Sequence, residues 1–210
     1  MVISHGTFWR DQSGASMVEA AIAMPMLLTL LLGFVDFGYA FYQWNAGNKA
    51  VQAGARLAQI STPVAIGLPS ETITQSDVTK VGTAVPAGTY DYVCTASAAG
   101  VACCSVGGGL CKPQNASQAS FDAIYDGTPN RAGMHTFLPM LVKSEVQIEY
   151  AASGLGYWTR PGGPVPTITV SIQKHPFQFF FLAGFLGLGT ITMPSMLSTV
   201  TGEDMKSTFP

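Results

Sequence analysis

The chain has 210 residues, 48% hydrophobic and only 10% charged, against roughly 25% charged residues in ordinary soluble domains. Its formal net charge is −2. With no Lys/Arg-rich face visible, there is no electrostatic case for nucleic acid as a partner. The length suits one anchored domain, and the charge deficit points to a membrane or a polymer interior.

Residues 1–14, MVISHGTFWRDQSG, form a short polar leader carrying Arg10 and Asp11. From Ala20 to Val35 the run AAIAMPMLLTLLLGFV has no charge. At ~1.5 Å per residue it spans roughly 24 Å, short of a ~30 Å hydrocarbon core. The following DFGYAFYQW lengthens it and supplies Tyr39, Tyr42 and Trp44 as an interfacial aromatic belt. Pro25 is expected to bend the helix early or loosen its first turns. The helix continues through NAGNKAVQAGARLAQI and ends before Pro63. Small residues recur there at Ala46, Ala50, Gly54 and Ala58. Such a ridge admits close approach of another backbone, either from a second molecule or from the chain's own domain.

Residues 64–120 read as loop-rich, with one strand at 89–95, TYDYVCT. PNRAGMHTFLPMLV predicts a short helix. SEVQIEYA and TITVSIQ alternate with period two and predict two antiparallel strands of one sheet. The stretch FQFFFLAGFLGLGTITM has two readings. It lacks charge and could form a second membrane helix over 177–197. However, Gly184, Gly187, Gly189 and Pro194 favour turns. TITMPSMLSTV again carries strand-forming residues. The expected fold class is α+β: a long N-terminal membrane-anchoring helix extending into a stem, then a small antiparallel-sheet domain. The expected divisions are a leader at 1–14, the transmembrane and stem helix at 15–62, and an exported domain at 63–210 with a cysteine-rich loop at 94–111.

Glu19 lies inside the start of the apolar run, five residues after Gly14. A carboxylate at the centre of a span costs ~2.5–3.5 kcal/mol on insertion scales, and less near an interface. Either Glu19 sits in the headgroup region or it has a cationic partner. Cleavage after Gly14 would make Ala15 the new N-terminus and place its amine one helical turn from Glu19, or beside the Glu19 of a neighbouring subunit. The competing cleavage site follows the core, after the GYA at 38–40 and before Phe41. Asp36 has two readings as well: a mark of the outer membrane–water boundary, or a contact with a partner subunit or with the assembly platform.

Cys94, Cys103, Cys104 and Cys111 form an even cluster suited to an oxidising compartment. Joining adjacent Cys103 and Cys104 closes a strained ring. Two arrangements remain: 94–103 with 104–111, or 94–104 with 103–111. The cysteines do not make paired CxxC knuckles, and His5, His135 and His175 lack metal-ligand spacing. No nucleophile elbow, phosphate loop or general acid/base pair stands out. The expectation is a protein that is not an enzyme, with no catalytic, cofactor-binding or metal-binding residues.

The stretch SGASMVEAAIAMPMLLTLLLGFVDFGYAFYQWNAGNKAVQAGARLAQI combines several features. These are Gly14 before the core, Glu19 five residues on, Pro25 within it, the Asp36–Phe37–Gly38 step, the Phe41–Tyr42 pair, Asn45 and the AGAR at 53–56. In this it resembles the N-terminal signature of TadE-like pseudopilins, minor pilin-like proteins of the tight-adherence (Tad/Flp) pilus, a system related to type IV pili. The C-terminal part, TVSIQKHPFQFFFLAGFLGLGTITMPSMLSTVTGED, is similar more loosely. The chain departs from the pattern at Ala20, where the family often has an aromatic, and at Glu203–Asp204 near the end. The resemblance implies a minor pseudopilin-like membrane protein acting in pilus assembly and so in adhesion. It implies processing between Gly14 and Ala15 by a prepilin peptidase, with Glu19 as the assembly contact. Implied partners are other pilin-like subunits, the inner-membrane assembly platform and membrane lipid. The implied location is the bacterial inner membrane, single-pass with the C-terminal domain in the periplasm, or outside the cell within the pilus. The alternatives are an N-terminally anchored periplasmic binding or adhesion module outside any pilus, and an exported enzyme released by signal peptidase at Ala40.

Overall fold

The structure is a computed structural model that describes residues 13–72, 76–107, 110–161, 163–187, 190–202 and 205. Residues 1–12 of the expected leader and Glu203–Asp204 lie outside these. The described chain divides into two compact units. One takes the N-terminal helix up to Tyr42 together with Phe177–Ile191; the other takes Gln43–Pro176 and the chain from Thr192 on.

Helix α1 runs from Ser13 to Ile60, 48 residues with Pro25 inside it, about 72 Å at 1.5 Å per residue. The long helix expected from the sequence is therefore present. Pro25 is accommodated within it rather than ending it.

In the first unit α1 is joined by a hairpin. Strand β8 (Pro176–Gln178), helix α4 (Phe181–Leu186) and strand β9 (Thr190–Thr192) follow one another, and β8 pairs with β9. Helix α4 has only six residues and ends on Gly187 in the left-handed conformation (φ 65°), the backbone state that glycine adopts without steric cost. Among the described residues no helix within 177–197 is long enough to span a membrane. Gly187 ends α4 after six residues, far below the ~20 residues a span requires.

The second unit contains a six-stranded antiparallel sheet. In chain order its elements are β1 (Asp91–Ser97), β2 (Gly100–Gly107), β3 (Leu110–Gln114), α2 (Gln118–Tyr125), the two-residue strands β4 (Gly127–Thr128) and β5 (Arg131–Ala132), α3 (Met134–Phe137), β6 (Val146–Ala151), β7 (Thr167–Ile172) and β10 (Met196–Thr201). The spatial order is β10-β7-β6-β1-β2-β3, with β4 and β5 forming a separate ribbon. Strands β6 and β7 are the antiparallel pair expected from their alternation, with Ile148 opposite Val170 and Tyr150 opposite Ile168.

The loop-rich reading of 64–120 needs correction. It missed β2, β3 and α2, and the segment 94–111 expected as a cysteine-rich loop is largely strand. Its Gly, Ala and Ser content gives weak local β preference. Cross-strand pairing supplies the order: each residue of β2 is in register with β1, with β3 or with both. Helix α2 also has a local start signal, since the Ser117 hydroxyl accepts the Ser120 N–H at 3.2 Å.

One face of the sheet carries Tyr92, Cys94, Cys103, Ile148, Tyr150, Ile168, Val170, Ile172 and Met196, all buried. The C-terminal half of α1 packs on this face, burying Ala50, Val51, Ala55, Leu57 and Ala58. Gly47 lies against Met196, and a Cβ on Gly54 would meet Met134 at 2.6 Å and Val170 at 3.2 Å. The small-residue ridge is therefore filled by the chain's own domain. The Tyr150 hydroxyl, inside this core, accepts the Val64 N–H at 3.2 Å just after α1 ends. His175 is buried with Nδ1 2.6 Å from Glu145 Oε2, a structural pairing between the loops flanking β6 and β7.

Candidate assembly and anchoring site

The N-terminal half of α1 is apolar on every side. From Gly14 to Leu28 each residue is exposed, including Met17, Val18, Ile22, Met24, Met26 and Leu27. An exposed apolar surface of this length is unfavourable in water and normal in lipid. Among the described residues α1 is the one helix long and apolar enough to cross a membrane. Gly14, Ala15 and Glu19 all lie on its exposed first turns. Among the described residues Glu19 has no salt-bridge partner.

Coverage of the helix begins at Thr29, with Gly33 and Asp36 buried. This spacing of three to four residues is one helical stripe, and the hairpin covers it. Leu182 packs over Gly33. Phe179 meets Phe37 edge-on at 6.2 Å between centroids, and Tyr39 contacts Phe177 at 6.2 Å and Phe180 at 5.3 Å.

Asp36 is fully buried. Its Oδ1 accepts the Phe180 N–H at 3.2 Å, and its Oδ2 accepts those of Phe181 at 3.1 Å and Leu182 at 2.8 Å. These are the first free backbone donors of α4, whose own N-cap residue, Phe180, has no side chain able to accept them. Neither sequence reading of Asp36 anticipated this role, in which its side-chain oxygens accept backbone N–H groups of its own chain. No signal in a single sequence links Asp36 to a backbone 145 residues away.

In the second unit, the outer face of α1 presents Lys49, Gln52 and Arg56. With Phe137 and Arg131 they line two adjoining hollows of about 170 and 300 Å³. Lys49 and Arg56 are seven residues apart and so share a helix face. That spacing was available in the sequence, but the arrival of Arg131 beside them was not.

The cysteines form Cys94–Cys103 and Cys104–Cys111, one of the two arrangements the sequence left open. The choice follows from the pleat. Cys103 and Cys104 are successive on β2 and point to opposite faces. Cys103 lies directly opposite Cys94 on β1, on the buried face, while Cys104 turns outward and reaches Cys111 on β3. No group of metal-ligating side chains occurs among the described residues.

No curated protein and no solved structure gives a significant match to the chain. Residues 14–56 match the family model described as TadE-like protein. The matched segment starts at the exposed Gly14, includes Glu19 and Asp36, and ends on the stem of α1, so the similarity lies on the N-terminal helix.

Proposed function

We propose that the protein is a minor pseudopilin-like membrane protein that takes part in assembling a Tad/Flp-type surface pilus, and through it in adhesion. The observation that carries this reading is the TadE-like match over 14–56, lying on one uninterrupted helix whose apolar half is unburied. In this reading the role is structural rather than catalytic. Prepilin peptidase cuts between Gly14 and Ala15 on the cytoplasmic side, which leaves the apolar core intact. The new Ala15 amine and Glu19 then form the docking charges for other pilin-like subunits and the inner-membrane assembly platform. The domain after Trp44 faces the periplasm, and its two disulfides support an oxidising compartment.

The test is the mature N-terminus of the protein from its native membrane, read by mass spectrometry. Ala15 is the expected result. Met1 would replace this reading with an anchored binding or adhesion module, and Phe41 with a protein released from the membrane.

A further inference from the structure

We propose that the hairpin Phe177–Ile191 is a second membrane contact. It lies in the headgroup–acyl boundary of the bilayer that α1 crosses, entering and leaving on the same side. The proposal rests on the reading of α1 as a membrane anchor.

Position is the first argument. As the hairpin runs from Phe177 to Leu182, its contacts on α1 move back from Tyr39 to Gly33. Six helical residues correspond to about 9 Å, close to the ~5–10 Å reached by interfacial segments. Counting back ~20 residues from Val35 for a span reaches residue 16. Gly33 and Asp36 then fall at the outer end of the hydrocarbon core. The hairpin covers this end and leaves the helix before Thr29 bare.

The outer surface is the second argument. Phe180 is 63% exposed, Phe181 44% and Ile191 49%, and no Asp, Glu, Lys or Arg lies between Lys174 and Glu203. This apolar surface continues that of α1.

Backbone accounting is the third and independent argument. A loop facing water can leave the first N–H groups of a short helix to solvent. In lipid each unpaired group costs several kcal/mol. Here Asp36 accepts all three from Phe180, Phe181 and Leu182, and β8 pairs with β9. A carboxylate buried to satisfy three amides suits a segment that water does not reach. The hairpin is too short to span, so it enters and returns.

The experiment uses the full chain in nanodiscs of phosphatidylcholine and phosphatidylglycerol, with a bimane label on single introduced cysteines. Phe180→Cys and Phe181→Cys probe the hairpin; both keep the backbone N–H that Asp36 accepts. Leu28→Cys probes the helix and Val78→Cys the exposed surface of the domain. Peptide mapping verifies both native disulfides in each variant. Brominated lipids should quench the labels at 180, 181 and 28 at least twofold and leave that at 78 unchanged. Quenching at 28 without quenching at 180 and 181 overturns the hairpin proposal while the anchor stands. No quenching at 28 removes the anchor reading. Quenching at 180 and 181 that appears only when each disc is diluted to one copy assigns the surface to a second copy of the chain and overturns the lipid assignment.

Discussion

The carboxylate of Asp36 and the backbone N–H of Phe181 lie 145 residues apart in the chain and 3.1 Å apart in space. This contact, with those to Phe180 and Leu182, fastens the C-terminal apolar hairpin to the N-terminal helix. The physical logic is that of a helix cap supplied by a distant element. Because the acceptor is buried, each bond is electrostatically stronger than it would be in water.

Replacing Asp36 therefore has a local consequence. Asp36→Ala should weaken the hairpin by about 2 kcal/mol, the range of a lost cap or charged hydrogen bond. Amide hydrogen exchange at Phe180, Phe181 and Leu182 would speed up by roughly thirtyfold, since ~1.4 kcal/mol is tenfold. Asp36→Asn keeps one acceptor oxygen and should fall between. Unchanged exchange at these three amides in Asp36→Ala would remove the capping role.

Glu19 presents the opposite case, an exposed acid on the apolar helix with no salt-bridge partner among the described residues. Glu19→Ala deletes a charge that is costly near lipid, so insertion should be at least as complete as in the parent chain. Pilus-dependent surface attachment should fall sharply. Carbonate extraction of membranes reads the first effect and attachment of intact cells the second. Full attachment by the variant would count against a docking charge.

The sequence was most legible where one period or one composition governed the outcome. The uncharged run 20–35 and the Pro-free stretch after it led to α1, and alternation led to β6 and β7. It was least legible where order comes from partners distant in sequence. Strand β2 holds many small residues and takes its order from β1, from β3 and from two disulfides. The ridge at Ala50, Gly54 and Ala58 suited either another subunit or the chain's own sheet. Met134 and Val170, which sit against Gly54, decide it, and both lie far along the chain. The same distance hid Asp36 as a cap.

The two disulfides should differ in access. Cys94 and Cys103 are buried in the core, whereas Cys104 is half-buried and Cys111 exposed. Thiol reductants reach exposed sulfur first. Titration with dithiothreitol followed by alkylation and peptide mapping should show Cys104–Cys111 opening before Cys94–Cys103. Replacing Cys104 and Cys111 by Ser should cost ~2–3 kcal/mol, the scale for closing a short loop. The Cys94→Ser, Cys103→Ser double variant should cost more, because it also leaves two hydroxyls in the apolar core at ~1–3 kcal/mol each where unpaired. Equal losses, or prior reduction of the inner bond, would contradict this assignment of faces.

The last expectation concerns two acids on the outer face of the sheet. In the antiparallel register Glu149 lies opposite Val93 and Ala151 opposite Asp91, so Asp91 and Glu149 are diagonal neighbours on one face. Partial burial pushes the Asp91 carboxyl above its usual range. Glu149 is pushed up too, first by burial and then by the charge of Asp91. Oδ1 of Asp91 is buried without a hydrogen-bond partner among the described residues. In each case the folded chain holds the proton more tightly than the unfolded chain does. The sign follows: stability is full below the ordinary carboxylate values of 3.8 and 4.5. It falls as pH rises through the raised folded-state values. At neutral pH the pair is a small liability, below about 1 kcal/mol for cross-strand like charges open to solvent screening. Glu149→Gln removes one charge and keeps the shape. Thermal unfolding of the full chain in detergent should show this variant more stable than the parent at pH 7, with the difference closing as pH falls below 4.5. A difference that instead grows on acidification would mean that Glu149 is stabilised as a carboxylate in the folded protein, and the like-charge account would fail.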